Sequence, residues 1–150
     1  MRLCAAAFVV LALLAFPDQA AAQCSISTTG VNFGSYDVFV PAARDSTGSL
    51  TYNCLLPLSV QITLTRGSSA TFSPRTLIKA AEPLQYNLYR DASRSLIWGN
   101  GTGGTSIYSA TVTIFQIATN ITVTVYGRIP AQQDVSAGIY NDTVTATINF

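Results

Sequence analysis

The 150-residue sequence has no histidine, one tryptophan, one methionine and few charges, only 10% of its residues. Without histidine it lacks the commonest general base and the commonest transition-metal ligand. The net charge of +1 leaves no electrostatic footprint for nucleic acid or an anionic membrane surface. Beyond residue 22 the acids are Asp37, Asp45, Glu82, Asp91, Asp134 and Asp142, none close to another in sequence. A carboxylate pair for glycoside hydrolysis would have to be assembled by the fold; aspartates placed in turns are the simpler account. The glycine-rich run Gly99 to Gly104 is followed by no Lys-Ser/Thr pair and sits in no βαβ pattern, so it reads as a loop rather than a phosphate cradle. We expect no enzymatic activity, no cofactor and no metal. Long helical periodicity is also missing after residue 22.

Residues 1–22 read as a secretory signal. Arg2 provides the positive start, Leu3 to Phe16 the apolar run, and Ala20-Ala21-Ala22 the small-residue cleavage site. The run is short for a membrane span. The mature domain is expected over residues 23–150, exported, with Cys24 and Cys54 as its two cysteines once Cys4 is removed. In an oxidising compartment these would pair, with two free thiols as the alternative; closing the loop would stabilise by roughly 3–4 kcal/mol. A soluble monomer usually carries about a quarter charged residues. Here Thr, Ser and Asn supply the polarity, which suits an extracellular β protein or one covered by neighbours.

What the chain has in quantity is alternation. Leu50, Tyr52 and Cys54 alternate with Thr51 and Asn53; Val60, Ile62 and Leu64 with Gln61 and Thr63; Leu84, Tyr86 and Leu88 with Gln85 and Asn87. Ala110, Val112 and Ile114 mark a further strand, and so do Ile121, Val123 and Val125. Residues 24–33 read as an interrupted first strand, and 75–79 as a short edge strand. From Thr143 the pattern runs unbroken, with Val144, Ala146, Ile148 and Phe150 on one face and threonines and Asn149 on the other. About seven main strands at this spacing indicate an all-β sandwich of two sheets. Most aromatic residues fall in these patterns. Trp98, at the start of the glycine-rich loop, is the exception: simple packing is its leading account, and an exposed ligand contact is the alternative. Asn100, Asn120 and Asn141 begin glycosylation triplets, which arise readily in a threonine-rich chain.

Several stretches together resemble a known family. They are Cys24, Phe33-Gly-Ser-Tyr-Asp37, Cys54, Leu84 to Asp91, Trp98-Gly-Asn-Gly101, Tyr126-Gly-Arg-Ile-Pro130 and Gly138 to Phe150. In order and spacing they are similar to the spore coat protein U domain, the subunit domain of archaic chaperone–usher pili. The resemblance implies an incomplete immunoglobulin-like β-sandwich whose last strand is supplied in trans. It implies passage through the periplasm to the cell surface, in a pilus or a coat. The partners would be a periplasmic chaperone, an outer-membrane usher and neighbouring pilin subunits, joined by strand addition at a sheet edge. Val144, Ala146, Ile148 and Phe150 would form one wall of the acceptor groove, and Ile26, Val31 and Phe33 the other. Only Gln23 separates the expected cleavage site from Cys24, so the expectation is a subunit that accepts a strand and donates none, as at a fibre tip. An adhesive module reading carbohydrate or a surface through the Trp98 loop is the second expectation.

Overall fold

The computed structural model describes residues 23–150; the expected signal segment lies outside the described residues. Numbered in chain order, the strands form two antiparallel sheets. One holds β1 (Cys24–Thr29), β2 (Arg44–Cys54), β7 (Ile121–Ile129), β5 (Glu82–Tyr89) and β4 (Arg75–Lys79), in that spatial order. The other holds β6 (Tyr108–Val112), β3 (Leu58–Leu64) and β8 (Ala146–Asn149). The fold is the expected all-β, immunoglobulin-like sandwich, and β4 is an edge strand, as its short polar-flanked sequence indicated.

The core follows from the alternation. Leu50 and Tyr52 on β2, Val60, Ile62 and Leu64 on β3, Leu84, Tyr86 and Leu88 on β5, and Val125 and Ile129 on β7 are all buried between the sheets. Their strand neighbours Ser59, Gln61, Gln85 and Thr124 face outward and are exposed. Each large aliphatic or aromatic side chain so covered contributes about 1.5–3 kcal/mol. β2 and β7 match from Arg44 opposite Ile129 to Tyr52 opposite Ile121 and form the backbone of the larger sheet. Cys24 and Cys54 face each other across the β1–β2 ladder and are joined as a disulfide, 30 residues apart in sequence.

Two features bear on points the sequence reading left open. Trp98, for which simple packing was weighed against an exposed ligand contact, is fully buried. Its backbone N–H donates to Leu88 O (2.9 Å), and its indole N–H donates to Ile62 O across the sandwich (3.0 Å). A bridge to Ser106 folds the glycine-rich loop back on itself, which carries the ring into the core and takes it out of reach of a ligand. The last strand is also shorter than its pattern: the ladder covers only Ala146–Asn149. Before it, Asn141 exchanges both backbone hydrogen bonds with Ile78 of β4 (2.8 and 3.2 Å), whereas Thr145 O accepts from Thr65 N (3.0 Å) beyond the end of β3. The segment crosses from one sheet to the other and cannot ladder throughout.

Arg75 ties together the backbone beside this crossing. Its guanidinium is buried and donates to Thr65 O (2.9 Å from Nη2), to Trp98 O (2.6 Å) and to Asn87 Oδ1 (2.7 Å). Burial pushes its pKa below the ordinary arginine value. A charge placed inside a protein demands this degree of hydrogen bonding, because dehydration without partners costs several kcal/mol.

Candidate functional site: an open groove between the first and last strands

β1 pairs only with β2, and β8 only with β3. The free edges of these two strands bound an open groove over the core. Past Thr29 the chain runs on through residues 30–37 without a ladder. Side chains of β2 hold it instead: Arg44 Nε donates to Phe33 O (2.7 Å) and Ser46 Oγ to Asn32 O (2.5 Å). Further along, Tyr36 Oη donates to Pro130 O (2.9 Å) and accepts from Gln133 N (2.8 Å). Val31 and Phe33 rest on the bare backbone of Gly127 in β7. A Cβ there would lie 2.7 Å from atoms of both, closer than van der Waals contact allows.

The opposite wall, residues 133–146, is fastened largely by side chains. Pro130 cannot donate to a ladder, and β7 ends just before it. The Gln133 amide takes over the missing pairing, accepting from Gln85 N (2.8 Å) and donating to Gln85 O (2.9 Å). Ser136 donates to Glu82 through its N–H (2.7 Å) and its hydroxyl (2.5 Å), and Lys79 Nζ donates to Ala137 O (2.8 Å). The Ser136 hydroxyl foremost, then its N–H, with help from Tyr140 and Lys79, holds the Glu82 pKa down to about 2. Asp142 follows: Oδ1 accepts from Ser68 N and Thr143 N (both 2.8 Å), and Oδ2 from Tyr86 Oη (2.6 Å). Burial, and then this bond to Asp142, push the Tyr86 phenol well above its usual value. Gly67, at φ +65°, passes so close to the Asp142 carboxylate that no side chain fits there.

Between the walls lie two joined cavities. One of about 310 Å³ is floored by Leu50, Leu64, Leu88 and Val125; one of about 870 Å³ is floored by Leu77, Leu84 and Ile129. Val31, Phe33, Leu77 and Asp142 line both, so the groove is continuous. Residues 28–31 face 142–146 in the smaller cavity, and residues 30–38 face 135–142 in the larger. The two walls therefore run in opposite directions. The site has no catalytic constellation to offer, and among the described residues no group of His, Cys, Asp or Glu gathers as metal ligands. It offers backbone hydrogen-bonding groups on two edges over an apolar floor, which is what an added β-strand requires.

Of the residues read from sequence as groove walls, Val31, Phe33, Val144 and Ala146 line the smaller cavity. Ile26 and Ile148 are half-buried against the core without lining either cavity, and Phe150 is 56% exposed. Sequence reasoning missed Leu77, Leu84 and Ile129 as floor and the 133–142 stretch as wall. Gln133, three residues after a proline that ends a strand, was a signal for the wall; nothing local marks the floor.

Three comparisons place the chain. The sequence model of the Spore Coat Protein U domain matches residues 10–147. Protein U of Myxococcus xanthus is 39% identical over 133 residues, which cover 80% of this chain and 71% of that protein. A chain in the crystal structure of the CsuC–CsuE chaperone–tip adhesion subunit pre-assembly complex, from the archaic chaperone–usher Csu pili of Acinetobacter baumannii, superposes with a TM-score of 0.60 at 23% identity. That match covers 85% of this chain but 39% of the other, so this protein spans well under half of its structural neighbour. With a family match over nearly its whole length and a relative this similar in sequence, the chain belongs to the Spore Coat Protein U domain family.

Proposed function

We propose that this protein is an exported structural subunit of a surface fibre or coat, completed by a β-strand from another polypeptide. A periplasmic chaperone would lend the strand first, and a neighbouring subunit would replace it at an outer-membrane usher. The observation that carries the reading is the groove: two unpaired sheet edges flanking an apolar floor within one sandwich. Such edges invite pairing, and a protein that leaves them bare over its core risks aggregation. Family and fold are those of structural subunits rather than enzymes. A structural neighbour from a chaperone–subunit complex supports the chaperone partner.

If the signal is cleaved after Ala22, only Gln23 precedes the disulfide-bonded Cys24. The subunit then accepts a strand without giving one and takes a terminal place in the fibre. Mass spectrometry of the exported N-terminus tests this. The adhesive alternative loses the residue it rested on, since Trp98 is buried.

The test of the main reading is expression of residues 23–150 with and without the cognate chaperone. Co-expression is expected to yield a soluble one-to-one complex, and the lone chain to aggregate or bind strand-like peptides. A lone chain that is a stable monomer and takes up no such peptide overturns it.

A further inference from the structure

The charge of the groove points to the chemistry of the strand that fills it. Among the residues lining the two cavities there is no lysine, arginine or glutamate; the only charged side chains are Asp37 and Asp142. Asp37 is exposed in a turn, where its carboxylate accepts from Phe39 N (2.9 Å). Asp142 is half-buried and lies where the two cavities meet. Three donors reach it, two on Oδ1 and one on Oδ2, and a carboxylate has about four acceptor sites. No ion pair reaches it among the described residues. Arg75, the buried cation of this region, acts on Asp142 only through space and spends its hydrogen bonds on the neutral oxygens of Thr65, Asn87 and Trp98, so no cation touches the carboxylate directly.

A strand laid along the groove would strip water from Asp142. A carboxylate dehydrated without a counter-charge is costly, whereas a charge-assisted bond from a cation is among the stronger polar contacts available. We infer that the natural occupant of this groove is an extended segment of a second polypeptide that alternates apolar residues and presents one lysine or arginine to Asp142. This inference rests on the strand-accepting reading above and adds a rule of selection to it. The apolar floor supplies affinity for any alternating strand; Asp142 selects among them and fixes register, because a one-residue slip would turn the cation to the opposite face.

The test uses the mature chain, residues 23–150, and synthetic alternating peptides of about ten residues, close to the length of a long strand. A single lysine is moved through each position, with glutamine and glutamate peptides as matched controls. Binding is followed by fluorescence anisotropy and by the shift of the chain's unfolding midpoint. At one position lysine should bind roughly tenfold tighter than glutamine, and glutamate weaker than both. Asp142→Asn, which keeps an acceptor for Ser68 and Thr143, should bring the ratio of lysine-peptide to glutamine-peptide affinity to about one, whatever its effect on binding as a whole. A zero-length carbodiimide cross-link from the preferred lysine, mapped by mass spectrometry in the unaltered chain, should fall on Asp142, and this reading does not depend on the variant folding. Equal binding of lysine and glutamine peptides at every position, or a cross-link confined to Asp37, overturns the inference and leaves the groove reading intact. Failure of every peptide to bind the soluble, monomeric chain overturns both.

Discussion

Leu50 and Val144 line the same cavity, but Leu50 is fully covered while Val144 is half-exposed. Leu50 sits on β2, which has ladder partners on both sides, β1 and β7. Val144 lies in a segment fixed to its surroundings by isolated bonds on one side only. The closed side of the sandwich is thus finished by the chain itself, and the groove side is not. The same residue types do different work on the two sides. On the proposed function, closed-side residues set the stability of the fold, while groove-side residues set its capacity for a partner. Experiments that shift one without the other test that division.

The largest effect is expected on the closed side. Trp98→Ala would leave a cavity and remove the indole bond to Ile62 O, destabilising by about 3–5 kcal/mol; denaturant unfolding of the partner-bound domain would read the loss. A Trp98→Ala domain of unchanged stability would contradict the buried assignment. Replacing both cysteines by alanine should cost about 3–4 kcal/mol through the freed 30-residue loop, measured the same way, with groove binding retained once the chain is folded. Groove-side changes should invert this pattern. Val144→Asp, at a half-buried site, is expected to destabilise the strand-free chain by about 1–2 kcal/mol, less than either closed-side change, but to abolish stabilisation by an added strand. Equal losses in both measurements would erase the distinction between the two sides.

The smallest effect concerns the fastening of the 133–142 wall. Glu82 has its pKa lowered from 4.5 to about 2 by the Ser136 contacts. In that interval the unfolded chain holds more protons than the folded one. The contribution of this carboxylate is therefore complete above the ordinary value and fades as pH falls towards 2. The protection of the Ser136 amide, taken relative to its intrinsic exchange rate at each pH, should fall over the same range, and Glu82→Gln should flatten the dependence.

Much of this arrangement was legible in the sequence because period-2 alternation is a local signal. Leu50-Thr-Tyr-Asn-Cys54, Val60 to Leu64 and Leu84 to Leu88 state their own faces, and each is a core strand. The Cys24–Cys54 pairing was legible from export and count alone. Trp98 stayed open between packing and exposure because a glycine-rich stretch implies a loop but not where its first residue points; the Ile62 carbonyl that captures the indole is 36 residues away. The early end of the last strand was hidden for a related reason. Thr143 to Phe150 alternates throughout, but Asn141 is held by one sheet and Thr145 lies beside the other, and alternation does not report which neighbour a residue finds. The burial of Arg75 ran against the usual surface preference of arginine, and only the carbonyls of Thr65 and Trp98 explain it.

Gly127 belongs to β7, on neither bank of the groove, yet Val31 and Phe33 rest on the space its absent side chain leaves. The depth of the recess is thus governed from beneath. Even a single methyl group at this position would lift the first bank outward and leave a shallower trough. If the groove takes a second chain as proposed, that uptake is sensitive to a residue the incoming strand never touches.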